Sequence, residues 1–98
     1  MNVDAIVENV DAMIPCVKSR GIVKSHQMTV MVGACYELPK IRPSSVEIGN
    51  AIGVSHAVVL RYKSLWESWD WRTRHAWLLL TEERIRNAEK PVDAAVCG

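Results

Sequence analysis

Few side chains in this sequence could do chemistry, and they fall into two kinds. The histidines His26, His56 and His75 have no motif that sets a serine, cysteine or carboxylate beside them. Ser55 and His56 are adjacent, but neighbouring residues on a helix point in different directions, so adjacency builds no nucleophile–base pair. Cys16, Cys35 and Cys97 are an odd number at long spacings, with no Cys/His cluster of the kind that holds zinc. There is no glycine-rich phosphate loop. An enzyme is therefore not expected, and neither a cofactor nor a metal is called for. The second kind is cationic. Lys40, Arg42, Arg61, Lys63, Arg72 and Arg74 offer the chemistry of binding rather than of reaction: charge-assisted bonds to oxyanions and, for arginine, two-pronged recognition of a planar acceptor pair.

Net charge is only +1, so its distribution says more than its size. Residues 1–17 hold Asp4, Glu8 and Asp11 and no base. Residues 18–42 hold Lys18, Arg20, Lys24, Lys40 and Arg42 against Glu37 alone. Residues 56–80 hold Arg61, Lys63, Arg72 and Arg74 against Glu67 and Asp70. An acidic start and a basic middle polarise the surface if the fold segregates them.

The elements that must position these groups are mostly helical. Ninety-eight residues, 49% of them hydrophobic, make one domain with enough apolar surface for a real core. No apolar run approaches the roughly 20 residues of a bilayer span. The start Met1-Asn2-Val3-Asp4 lacks the pattern of a signal peptide, so a soluble cytoplasmic protein is expected. Val3, Ile6, Val7, Val10, Met13 and Ile14 form the apolar face of a first helix that Pro15 ends or bends. Ser19-Arg20-Gly21 reads as a loop and Ser25 as the cap of a second helix. Met28, Met31, Val32 and Cys35 stripe that helix, with Cys35 as a small buried hydrophobe. Pro39 and Pro43 stop it.

Ser44-Ser45-Val46-Glu47 is a capping box that opens a short third helix, and Gly53 ends it. Ser55 caps a fourth helix running to about Ser68, with Val58, Val59, Tyr62, Leu65, Trp66 and Trp69 on one side. Thr81-Glu82-Glu83 looks like a fresh helix start, which implies a break before it. A hairpin over residues 70–80 is therefore favoured over a continuing helix, although Arg72-Thr73-Arg74-His75 has no turn residue. From Pro91 onward a loose tail is expected, with Cys97 as a free thiol.

The span Ser45–Ser64 has the layout of two short helices crossing steeply about a glycine turn. Gly49 is the small residue at the crossing, Gly53 is the turn, and Ile48, Ile52, Val54, Val59 and Tyr62 fill the apolar positions. This resembles the helix-turn-helix of bacterial and phage regulators, whose common Gly-Val-Ser turn is matched by Gly53-Val54-Ser55. Gly49 stands where that family usually has alanine. The flanks extend the likeness over residues 25–90. Arg42-Pro43-Ser44-Ser45-Val46-Glu47-Ile48-Gly49 looks like the opening of LexA-type winged helix domains. Asp70-Trp71-Arg72 followed by Leu80-Thr81-Glu82-Glu83 is similar to the wing and exit of MarR-type regulators, with Trp71 in place of an arginine and Arg84 where glycine is common.

The resemblance implies a winged helix-turn-helix of about five helices with a small two-stranded β wing; an all-α helix-turn-helix bundle is the alternative. It divides the chain into one domain over 1–90, a DNA-binding core and wing over 25–80, and a tail over 91–98. It also implies a homodimer, with the helix of residues 1–20 and the last helix as the contact, that represses by occupying a palindromic site on double-stranded DNA. The recognition helix would present Ser55, His56, Ala57, Leu60, Arg61, Lys63 and Ser64. Arg61 would read guanine O6 and N7, and Leu60 a thymine methyl. Lys63, with Arg72 and Arg74 at the wing tip, would reach phosphates or the minor groove, while Lys40 and Arg42 anchor the backbone. The rival is a winged helix used for protein contact, such as an anti-repressor or adaptor, which exposed Leu60, low net charge and four tryptophans would suit.

Overall fold

A computed structural model describes residues 2–14 and 21–89. Among them are five helices and no strand: α1 (Val3–Met13), α2 (Gly21–Glu37), α3 (Ser45–Ile52), α4 (His56–Ser68) and α5 (Trp71–Glu89). The fold is all-α. None of these helices is long and apolar enough to cross a membrane.

The architecture follows from α2. Residues 27–36 of this helix are buried without a break, so it is enclosed around its whole circumference rather than along one stripe. Such a helix must be surrounded. Here α1, α4 and α5 pack on it, and α3 bridges α1 and α4. The core is built from Ile6 and Val10 of α1, Val30, Met31, Val32, Ala34 and Cys35 of α2, Ile48 of α3, Val59 and Trp66 of α4, and Ile85 of α5. Two polar side chains in it are satisfied locally. Gln27 donates to Asp11 Oδ1 (3.1 Å) and to the Ile14 carbonyl (2.6 Å), tying α2 to the end of α1. Thr29 donates to the Ser25 carbonyl (2.7 Å).

Several expected boundaries are corrected. Helix α2 begins at Gly21, and Ser25 lies inside it, its carbonyl already engaged by Thr29. The larger correction concerns residues 70–80, where the hairpin and its β wing are replaced by one continuous helix. Asp70 explains the change. Its carboxylate accepts from the Arg72 amide (3.1 Å) and its carbonyl from Arg74 N–H (3.0 Å), so the chain turns directly from α4 into a capped α5. Thr81, read as a helix start, is buried mid-helix and donates to the Trp77 carbonyl (2.7 Å). The expected bend at Pro15 and the tail from Pro91, with Cys16 and Cys97, lie outside the described residues.

Candidate nucleic-acid interface

The α3–α4 pair is set by four residues: Ser44, Gly49, Gly53 and Ser55. Ser44 Oγ accepts from the Glu47 amide (3.1 Å), starting α3. Gly53, at φ +91°, closes it in the left-handed region that glycine enters without penalty. The amides of Gly53 and Val54 both donate to the Gly49 carbonyl (2.7 and 2.9 Å). Gly49 is where the two helices meet. A Cβ there would lie 2.5 Å from the Val54 carbonyl oxygen and 3.5 Å from Val59. Glycine is thus required at this crossing, where alanine, the residue common in the family that the sequence resembles, would overlap backbone. Ser55 then caps α4, its hydroxyl accepting from Val58 N–H (3.4 Å).

Helix α4 is two-sided. Val59 and Trp66 are buried on the inner side, with Tyr62 and Trp69 packed against the core beside them. Trp66 is only 2% exposed. Its ring lies on the backbone of Gly33, where even a Cβ would collide with three ring atoms, and its indole N–H donates to the Glu37 carboxylate. Trp69 continues the contact: it stacks on His26 at 5.0 Å, and Trp77 meets the same imidazole edge-on at 5.4 Å. The outer side carries Ser55, His56, Ala57, Leu60, Arg61 and Ser64, all exposed. Leu60 is 45% exposed.

Arg42, Lys63 and Arg74 gather elsewhere, around Tyr36 and Glu37. Lys63 is half-buried and turned aside, paired with Glu67 (3.8 Å) and 5.2 Å from the Tyr36 ring centroid. Arg42 stands 5.9 Å from the same ring. Arg74 comes to this place from α5, and Tyr36, Glu37, Arg42, Lys63, Trp66, Glu67 and Arg74 line one cleft. Arg72 and Arg74 were expected at a wing tip. On a helix, residues two apart point to different sides, so Arg74 enters the cleft while Arg72 is exposed with its guanidinium 5.6 Å from the Trp71 ring. Lys40 is exposed in the connection between α2 and α3.

The cleft was not foreseen as a unit. Glu37 and Trp66 are 29 positions apart, and no spacing rule links them. Burial raises the Tyr36 phenol, an effect that Arg42 and a hydrogen bond with Ser45 oppose. Burial, with Asp4 adding to it, pushes the Cys35 thiol up to about 12, so it remains a protonated core residue. Among the described residues no group of three His, Cys, Asp or Glu side chains is placed to hold a metal ion.

Comparison with protein families, with curated proteins and with solved structures found no match.

Proposed function

We propose that α3 and α4 form a DNA-binding helix-turn-helix, in an all-α module without a wing, and that the protein regulates transcription by occupying a duplex site. One observation carries this reading: the outer face of α4 is left exposed from Ser55 to Ser64 while its inner face is locked into the core. A helix held in that way can enter the major groove as a rigid body. Arg61 is the residue to read a guanine edge, and Leu60 can meet a thymine methyl. Ser55 and His56 lie at the helix N-terminus, where side chains reach base edges. Lys40, exposed before α3, serves as a backbone anchor, whereas Arg42 goes to the Tyr36 cleft. Lys63 is reassigned from that face, because Glu67 and Tyr36 hold it to one side.

The proposed assembly is a homodimer that sets two copies of α4 about 34 Å apart on a palindromic site. The groove between α1 and α5, with exposed Leu79 and Leu80 on α5, supports the placement of the contact there.

The test is fluorescence anisotropy of a labelled duplex at about 50 and 200 mM salt. Contacts to about three phosphates weaken binding roughly 40-fold over that range by counterion release. No binding at the lower salt, by protein shown to be folded, overturns the reading. Exposed Leu60, Leu65 and Trp71 would then favour a protein partner.

A further inference from the structure

We infer that the cleft between α2, α4 and α5 is an oxyanion site for a phosphate group, separate from the outer face of α4. Three cations reach it from three different elements: Arg42 from the connection before α3, Lys63 from α4 and Arg74 from α5. Tertiary folding alone brings them together. Two carboxylates border the cleft, so three cations stand against two anions and the cleft is net positive. Glu37 accepts the Trp66 indole N–H, and Glu67 pairs with Lys63. That leaves the guanidinium of Arg74 underused. Its Nε is buried and has no hydrogen-bond partner. A buried donor of this kind calls for an acceptor.

The chemistry selects phosphate. Arginine presents its N–H groups as a planar fork that matches phosphate oxygens, and Lys63 adds a compact point charge. The Tyr36 ring lies 5.9 Å from the Arg42 guanidinium and 5.2 Å from Lys63 Nζ and neutralises neither, since its face attracts cations without carrying a charge. A simple apolar ligand would give Arg42 and Arg74 no anion, and neither has an ion pair among the described residues. A carboxylate ligand has fewer oxygens to share among three cations.

The experiment is a two-dimensional ¹⁵N NMR titration of the full chain, following the Trp66 indole N–H and the Arg74 Nε–H. Sodium phosphate is added, then sodium chloride at matched ionic strength, then a short duplex. We expect saturable shifts of both resonances with phosphate in the low-millimolar range, and only a weak linear drift with chloride. Arg74→Gln should weaken phosphate binding at least tenfold while keeping the dispersed spectrum of a folded protein. Arg42→Gln, in an exposed connection, gives the same readout should Arg74→Gln unfold. Arg61→Ala, on the other side of α4, should leave phosphate binding unchanged.

Equal drift with phosphate and chloride overturns the proposal, as does saturation that survives both cleft variants. The duplex arm identifies the source. Matching shifts with duplex assign the phosphate to a DNA backbone, whereas shifts with free phosphate alone assign it to a small phosphorylated ligand. The two readings fail separately: a chain that binds phosphate but no duplex keeps the cleft and loses the DNA-binding helix.

Discussion

The two sides of α4 differ in what constrains them. On the inner side Trp66 sits on bare backbone at Gly33, is fixed at its indole by Glu37, and meets Trp69 at a tilt. On the outer side Arg61, Leu60 and Ser64 are exposed. The same 13-residue helix thus spends one face on stability and leaves the other exposed. Substitutions on the two faces should therefore affect different measurements.

The largest effect is expected at the inner joint. Gly33→Ala should destabilise the fold by about 3 kcal/mol, because an aromatic ring packed against backbone has nowhere to move. Thermal unfolding should then shift by roughly 15 °C. A small shift would show that α2 and α4 are not locked together.

On the outer face Arg61→Ala should do the reverse. Stability should change by less than about 0.5 kcal/mol. Affinity for the preferred duplex should fall by about 2 kcal/mol, with sequence preference relaxed at one position. Loss of stability instead would mean that the two faces are not independent.

The core behind the inner face responds to pH through Cys35. The thiol of unfolded Cys35 has an ordinary value of 9.0, while the folded thiol is pushed up to about 12. Between these values the unfolded chain releases a proton that the folded chain keeps. Stability should therefore fall as pH rises from 9, with a limiting slope of about 1.4 kcal/mol per pH unit. Cys35→Ala should flatten that slope in chemical denaturation across this range.

The smallest effect sharpens the α3–α4 crossing. Alanine at position 49 would improve helix propensity by about 1 kcal/mol. Yet Gly49→Ala should be net destabilising by about 1 kcal/mol, because its Cβ meets the Val54 carbonyl oxygen, which cannot swing away as a side chain could. Stabilisation would mean that the helices can separate at no cost.

Local chemistry was legible from the residues. Ser44 and Ser55 cap the helices that they were expected to cap, and Gly53 takes the left-handed turn. These features depend on neighbours within a few positions, so spacing rules reach them. Thr81-Glu82-Glu83 misled because a threonine followed by acids serves equally as a cap or as a mid-helix turn. Here its hydroxyl bonds back to Trp77. The missing turn residue between Arg72 and His75 was the better guide, and Asp70 was the overlooked cap. The candidate site divides in the same way. The outer face of α4 follows from helical periodicity, but periodicity also put Lys63 on it, and that side chain goes to Glu67 and Tyr36.

By itself, then, the sequence determined the helical character outside residues 70–80, the caps of α3 and α4 and the turn between them, because each rests on hydrogen bonds and backbone angles within one or two turns of chain. Tertiary structure alone decided that α2 is the buried centre and that Gly33 must stay bare for Trp66. It also decided that Arg42, Lys63 and Arg74 share one cleft. Those outcomes depend on close packing between elements distant in the chain, where a single ring or guanidinium can occupy only the space that its neighbours leave.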